Sequence, residues 1–212
     1  MDPITHIASG AVIGKALKSK YHSQIISLCV VSSIIPDIDN LTGFISSEMF
    51  LIHHRGITHS FAGGLLVALL VSSVFRLLSP VLAFNKALLV SYSLILVHIF
   101  LDLITSFGTQ IMYPFNRTRY ALSSVFIIDP LFTSILLLLF LFSVILKKRA
   151  VVFSASAAIF LLFYPMANLG IKNLTQKYIN ERLNADKIKH EKVIIEPEFL
   201  SPVFWKVIVE DN

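Results

Sequence analysis

The sequence predicts an all-α protein, a polytopic helical bundle that lies in a membrane. Hydrophobic residues make up 55% of its 212 residues and charged residues only 15%, whereas a soluble domain carries about 25% charged residues. Apolar stretches also follow one another between residues 4 and 168. Inside a bilayer each backbone amide must be bonded within its own segment, so such stretches are expected to be helices.

The first two apolar stretches, residues 4–17 and 24–36, are short. At about 1.5 Å per residue each reaches about 20 Å, which is less than the roughly 30 Å of a hydrocarbon core. We expect these two N-terminal helices to form a hairpin that turns at residues 19–23.

Four longer stretches follow and are expected to be transmembrane helices. They are residues 61–79, 84–105, 130–146 and 150–168. The last two are separated by a run of three basic residues at positions 147–149, which predicts a turn at the membrane surface.

The composition changes near residue 170, where polar residues replace the apolar run. We therefore divide the chain into a helical membrane domain, residues 1–169, and an extra-membrane tail, residues 170–212. The tail begins with a polar segment of mixed charge that predicts a short C-terminal helix outside the membrane. Its end, residues 193–211, combines β-branched and aromatic residues with prolines, which indicates one or two strands or an extended strap.

The basic residues indicate how the bundle is oriented. The net charge is +5, but the basic residues flank apolar runs and do not line a soluble face, so we expect no nucleic-acid partner. In the predicted topology the turns bring several of them to one membrane level: Lys15, Lys18, Lys20, Arg76, Lys86, Lys147, Lys148 and Arg149. The positive-inside rule makes this level cytoplasmic, and the other helix ends then lie outside the cytoplasm.

Unusual polar residues gather at those other ends, beginning with His98 and Asp102. They are four positions apart on one predicted helix, so their side chains share a face. Imidazole and carboxylate ligands suit zinc and other divalent metals, and an ionisable residue in a membrane helix is costly unless it is paired or functional. The alternative is a structural hydrogen bond between the two side chains.

Asp37 and Asp39 directly follow Pro36 at the end of the second stretch. Proline favours the end of the helix, and carboxylates two positions apart lie on the same side of an extended segment. Both are candidate metal ligands that face the histidines. The alternative is a solvated acidic loop.

Three of the seven histidines fall within the segment His53–Ser60. His59 stands at the mouth of the following helix and is a candidate metal ligand. Arg55 carries a permanent charge that suits phosphate or carboxylate groups, and His54 is a candidate proton donor. The alternative is an interfacial loop whose histidines are incidental, and the participation of His53 or His54 stays open.

His6 faces the acidic segment across the predicted hairpin and is a candidate ligand of a second ion. A lone histidine in a first helical turn is more often a surface or capping residue. Asp2 and Asp129 are expected to be helix caps. Arg117 and Arg119 are candidates for anion binding at the headgroup level or for interfacial anchoring.

A series of motifs resembles the YdjM-like family of bacterial inner-membrane, metal-dependent hydrolases. In order they are DPITH, PDID, HHRGITHS, H-x-x-x-D, TSFGTQIMYPF and FIIDP, all within residues 1–131. The resemblance implies a multi-pass protein of the bacterial inner membrane with a hydrolytic chemistry, and it implies no particular substrate.

A fainter resemblance connects the polar residues with the zinc-dependent phospholipase C and P1 nuclease group. By that resemblance the matching metal ligands are His6, Asp37 or Asp39, His59, His98 and Asp102. The further downstream His and H-x-x-x-E ligands of that group have no counterpart in this sequence. The resemblance therefore implies one or two divalent ions, zinc above all.

The predicted function is a membrane-bound hydrolase that cleaves a phosphoester or another lipid-linked ester at the extracytoplasmic face, with membrane lipids as partners. In this hypothesis Arg55 steadies developing negative charge. The alternatives are a transporter or ion-handling protein with the same cluster as its binding site, and a structural membrane protein with a polar packing cluster. A transport site would lie near the midplane, whereas these residues gather at helix ends.

Overall fold

The computed structural model describes residues 1–17, 21–201 and 203–211, and helices account for most of them. The α-helices are α1 (Pro3–Ala16), α2 (His22–Ile34), α3 (Ser47–His53), α4 (Phe61–Leu78), α5 (Phe84–Leu103), α6 (Pro130–Ile145) and α7 (Ala150–Ala185). Among the described residues, three segments are 3₁₀ helices: Ile35–Phe44, Ile57–His59 and Lys147–Arg149. A two-stranded sheet, β1 (Lys192–Pro197) and β2 (Trp205–Glu210), completes the fold. The predicted helical membrane bundle is confirmed.

The predicted N-terminal hairpin is formed by α1 and α2. Asp2 caps α1 as expected, because its Oδ1 accepts a hydrogen bond from the Thr5 amide at 3.0 Å. The two helices approach closely at Gly10, where an added Cβ would lie 2.3 Å from Ser33 Oγ. The turn predicted at 19–23 lies partly outside the described residues, as do Lys18 and Lys20.

A second hairpin is formed by α4 and α5, and its turn is closed by Arg76. The Nη1 of Arg76 donates to the carbonyl oxygens of Pro80 at 2.9 Å and Leu82 at 3.1 Å. At about 1.5 Å per residue, the 20 residues of α5 reach about 30 Å. The basic turn and the polar end of α5 therefore lie at opposite ends of this hairpin.

Four helical segments in the described part of the chain are long and apolar enough to cross a membrane: His22–Phe44, Phe61–Leu78, Phe84–Leu103 and Lys147–Ala185. The first differs from expectation, because the 3₁₀ segment Ile35–Phe44 directly follows α2 and extends the helical stretch beyond Pro36. With 16 residues, α6 matches the predicted stretch 130–146 closely, but it is a shorter apolar helix and is not among these four.

The tail begins inside a helix, since α7 continues without interruption for 36 residues. The expected boundary between residues 169 and 170 lies within this helix. The predicted strand region forms the antiparallel pair of β1 and β2, with Val193 opposite Val209. The buried side chains of Val193 and Ile195 and the contacts between α7 and β1 attach the sheet to the helix.

Asp129 joins the tail to the bundle. Its Oδ1 accepts hydrogen bonds from the amides of Leu131 and Phe132 at 3.0 and 3.1 Å, so the expected cap of α6 is confirmed. Its Oδ2 accepts the hydroxyls of Tyr164 at 2.9 Å and Ser201 at 2.8 Å. Ser201 lies between the two strands, so the sheet is held against α6 and α7.

Candidate metal centre

The polar residues singled out in the sequence meet at one end of the bundle. His98 and Asp102 lie near the end of α5, and His59 lies just before α4. Asp37 belongs to the 3₁₀ segment after α2, and His6 belongs to α1. The residues His6, His59, His98 and Asp102 are fully buried, and the Asp37 side chain is only 13% exposed.

Four of these residues point ligand atoms at one position. Asp37, His59, His98 and Asp102 each offer one atom, and these atoms all lie within 4.8 Å of one another. The Nε2 atoms of the two histidines are 2.9 Å apart, and the His59 Nε2 is 3.0 Å from Asp102 Oδ2. Two imidazoles with two carboxylates form a ligand set that suits zinc and other first-row divalent ions.

The hydrogen bonds of His98 determine which ring nitrogen is free. Its Nδ1 lies 2.7 Å from the carbonyl oxygen of Ser33. A carbonyl oxygen can only accept a hydrogen bond, so Nδ1 carries the proton and is the donor. The Nε2 of a neutral His98 therefore presents its lone pair to the cluster, in the orientation that outer hydrogen bonds impose on metal-binding histidines.

His59 is held in the same way by a carboxylate. Its Nδ1 lies 3.1 Å from Asp39 Oδ2, which leaves Nε2 as the nitrogen that faces the cluster. Burial lowers the pKa of His59, but hydrogen bonds to Asp102, Asp37 and Asp39 outweigh it and raise the pKa to about 10. The surrounding carboxylates therefore favour a positive charge at this position.

Asp39 lies behind His59 and is not one of the four converging ligands. Its Oδ1 lies 3.0 Å from His54 Nδ1. Its Oδ2 accepts hydrogen bonds from the Arg55 amide at 2.8 Å and from Thr58 Oγ1 at 3.1 Å. Both oxygens are thus engaged in holding the loop that carries the histidines.

Arg55 orients Asp102 from the other side. Its Nη2 lies 2.9 Å from Asp102 Oδ1, and its Nη1 donates to Thr105 Oγ1 at 2.7 Å. The Met1 amino group contacts the same Oδ1. The backbone of Arg55 has a φ of 56°, in the left-handed region that a non-glycine residue seldom adopts. These contacts leave Asp102 Oδ2 turned toward the two histidines.

His6 lies directly against the cluster. Its ring stacks on that of His98 with centroids 3.8 Å apart, and its Nε2 is 3.4 Å from Asp102 Oδ1. Neither ring nitrogen of His6 makes a hydrogen bond of good geometry with any described residue. A buried polar side chain without such a partner is unusual, and it fits a ligand of an ion.

A cleft of about 370 Å³ opens beside the cluster, and Asp37, His54 and Arg55 line it together with Phe107. The ring of His54 stacks on Phe50 with centroids 4.5 Å apart. The exposed His53 lines a different pocket. The structure therefore brings His54 to the cluster and leaves His53 outside it.

The family comparison covers every residue of this cluster. The model of the YdjM inner membrane protein family matches residues 1–172. The chain belongs to this family. The resemblance to this family inferred from the motifs is thereby confirmed, and membership of an inner membrane protein family agrees with the four apolar segments that are long enough to cross a membrane.

One curated relative of this YdjM family member is the uncharacterized protein YfhP of Bacillus subtilis (strain 168). The two are 26% identical over 139 residues, which cover 61% of this chain and 42% of the relative. The chain thus spans less than half the length of that relative. No solved structure matches the chain.

The remaining candidates of this YdjM family member have other contacts. Arg119 donates to the carbonyl oxygens of Leu51 at 2.8 Å and His54 at 3.1 Å, so it fastens the loop after α3. Arg117 lies over the ring of Tyr113 at 5.7 Å, in agreement with an anchoring role.

Thr105 helps to hold the cluster in place, because it accepts a hydrogen bond from Arg55. Two further contacts of this kind were not predicted from the sequence. Thr58 contacts Asp39 and His59, and its position beside a candidate ligand was a usable signal. Ser33 acts through its backbone carbonyl, and a backbone contact of this kind has no signature in the side-chain sequence.

Proposed function

We propose that this protein is a membrane-bound hydrolase that uses a divalent ion, preferentially zinc, to cleave a phosphoester or another lipid-linked ester. The observation that carries the proposal is the convergence of two imidazole nitrogens and two carboxylates inside a membrane protein. Both imidazoles are fixed through Nδ1, so their Nε2 atoms face each other at 2.9 Å. The surrounding carboxylates favour a positive charge at this position, and a bound divalent cation would supply it.

The proposed ligands are Asp37, His59, His98 and Asp102, with His6 as the ligand of a second ion. A divalent ion at this position supplies Lewis-acid chemistry and activates water near neutral pH. The protein contributes rigid ligands, because Asp39 and Arg55 hold His59 and Asp102 from behind. Such outer contacts typically change metal affinity about 10- to 100-fold when they are removed.

His54 is the proposed general acid. Asp39 holds its Nδ1 at 3.0 Å, which leaves Nε2 as the nitrogen available to transfer a proton to a leaving group. Arg55 lines the same cleft. Its charge is shared with Asp102, and it offsets negative charge that develops on the substrate.

The proposed site faces the extracytoplasmic side of the membrane. The basic residues lie at helix ends, in or beside the turns that join α4 to α5 and α6 to α7, whereas His98 lies near the other end of α5. These basic residues are Arg76, Lys86 and the run Lys147–Arg149. Basic residues in short loops favour the cytoplasmic side. Transport is the alternative function, but a transport site lies near the middle of broken helices, whereas His59 stands at a helix start and Asp102 at a helix end.

The test begins with metal analysis of the full chain purified in detergent. Elemental mass spectrometry should find one or two zinc ions per chain, and Asp37→Ala should lower that content while the exposed control His53→Ala leaves it unchanged. Release of phosphate or fatty acid from a panel of phospholipids should depend on the metal and stop on chelation. A folded wild-type protein that contains no metal and rebinds none contradicts the proposal.

A further inference from the structure

An apolar groove runs along the outside of the bundle between α2 and α4. Its walls include Leu28, Val31 and Ile35 on one side and Leu70 and Val74 on the other. Its volume is about 380 Å³. Ser27 is the one polar residue among its described lining residues, so the groove offers almost nothing to a headgroup or to water.

The groove belongs to two segments that are long and apolar enough to span a membrane. Leu70 is 66% exposed and Val74 is 46% exposed, so both side chains face the bilayer. A groove in such a surface is filled by hydrocarbon, because lipid tails are the solvent at this depth. An alkyl chain therefore matches both its chemistry and its surroundings.

One end of the groove lies close to the candidate metal centre. Ile35 lines the groove and also a neighbouring cleft that includes Asp37. That cleft shares Pro3, Asp37 and Asn40 with the cleft that His54 and Arg55 line. The apolar groove and the polar cluster are thus linked through the residues of an intervening cleft.

The direction of the groove suits a lipid whose ester lies at the cluster. Eight residues separate Ile35 from Ser27, so the groove descends about 12 Å along α2 from the level of Asp37. A membrane lipid has the same orientation, because its headgroup lies at the membrane surface, level with the helix ends, and its acyl chain descends into the bilayer.

We propose that this groove binds an acyl chain of the lipid substrate while the ester or phosphoester of the same lipid lies at the His/Asp cluster. The assignment of the bound lipid as a substrate rests on the proposed hydrolase function. The groove would then select substrates by the presence of a long alkyl chain, and Val74 would be a specificity-determining residue.

The experiment uses the full chain in phosphatidylcholine vesicles that contain a small fraction of phosphatidylcholine with a photoreactive diazirine on one acyl chain. After irradiation, mass spectrometry locates the labelled residues. Labels should concentrate on the groove, and Val74→Trp should reduce them about fivefold because the indole fills the space. The matched control is Leu65→Trp, because Leu65 is 40% exposed and lies nine positions from Val74, which is about two and a half turns and so the opposite face of α4.

A second readout tests the link to hydrolysis. Val74→Trp should raise the KM for long-chain phospholipids about fivefold and leave the KM for short-chain, water-soluble analogues unchanged, because only the long chain reaches the groove. Equal labelling of the groove and of the Leu65 face, or labelling that Val74→Trp leaves intact, overturns the proposal. Cross-links between copies of the chain at the groove, formed by a bifunctional reagent in the same vesicles, also overturn it, because a second copy of the chain would then occupy the groove.

The two proposals fail in different ways. Groove labelling in a protein that binds no metal and hydrolyses no lipid refutes the hydrolase and, with it, the role of the bound lipid as substrate. Metal-dependent hydrolysis with uniform labelling refutes the groove alone.

Discussion

Asp102 and Asp129 are both fully buried carboxylates, yet their surroundings differ. Asp129 accepts hydrogen bonds from two backbone amides and from the hydroxyls of Tyr164 and Ser201. Asp102 Oδ2 makes no hydrogen bond of good geometry with a described residue and faces the Nε2 atoms of His59 and His98 at 3.0 and 3.4 Å.

The difference separates a structural carboxylate from a candidate ligand. Neutral donors satisfy Asp129 completely, so it stabilises the junction of α6, α7 and the tail. Asp102 retains an oxygen directed at two ring nitrogens, an arrangement that costs free energy unless a proton or a metal cation lies between them. Burial alone therefore does not identify a functional carboxylate, whereas the kind of atom that faces it does.

The largest effect is expected from the loss of a ligand of the candidate metal centre, to which Asp102 belongs. His98→Ala removes one of the four converging atoms, so zinc affinity should fall by more than about 100-fold, beyond the usual effect of an outer contact. Titration of the metal-stripped protein with zinc measures the change. His190→Ala, in the tail, is the control and should bind like wild type. Unchanged zinc affinity in His98→Ala would remove His98 from the site.

The next effect should come from Asp39, which supports His59 without belonging to the four ligands. Asp39→Asn keeps the shape but removes the charge that faces His59 Nδ1 and His54 Nδ1. Zinc affinity should fall about 10- to 100-fold, and less than in His98→Ala. The control is Asp186→Asn, because Asp186 is exposed, and this variant should bind zinc like wild type. A loss as large as that of His98→Ala would indicate that Asp39 is itself a ligand.

At the structural carboxylate, Asp129→Ala should reduce stability and leave the metal in place. The change removes the cap of α6 and the oxygen that accepts the Tyr164 and Ser201 hydroxyls. The Tyr164 hydroxyl keeps the carbonyl oxygen of Ser201 as an acceptor. We expect a loss of about 2–4 kcal/mol in the free energy of unfolding, measured by denaturation in detergent. Zinc content per folded chain should stay at the wild-type value. A loss of zinc without a loss of stability would contradict the assignment of Asp129 as a structural carboxylate and Asp102 as a metal ligand.

The smallest effect is expected from Tyr164→Phe. This change removes the hydroxyl that contacts Asp129 and the Ser201 carbonyl oxygen, and it keeps the ring that packs against Phe132. The free energy of unfolding should fall by about 1 kcal/mol, in the same denaturation experiment. A cost equal to that of Asp129→Ala would place the whole stabilisation on this one hydroxyl.

Much of the architecture was predictable because membrane helices follow directly from composition. The hairpin of α1 and α2 and the hairpin of α4 and α5 match the apolar stretches, and Asp2 and Asp129 cap helices as expected. The helix predicted for the polar segment after residue 170 is present, but it is the last part of α7 and not a separate short helix, since a change of composition does not by itself end a helix. The length added to α2 was also missed, because Pro36 interrupts the α-helix and a 3₁₀ segment continues from it.

The candidate site divides in the same way. By itself the sequence determined that histidines and aspartates gather at one end of a membrane bundle, because helix spacing and the topology of apolar stretches require it. Only the tertiary structure decided that Asp37 joins His59, His98 and Asp102, while Asp39 holds His54 and His59 from behind. The physical reason is that two carboxylates two positions apart look equivalent in a sequence. Their roles depend on which ring nitrogen each one meets, and this follows from how α2, α4 and α5 pack.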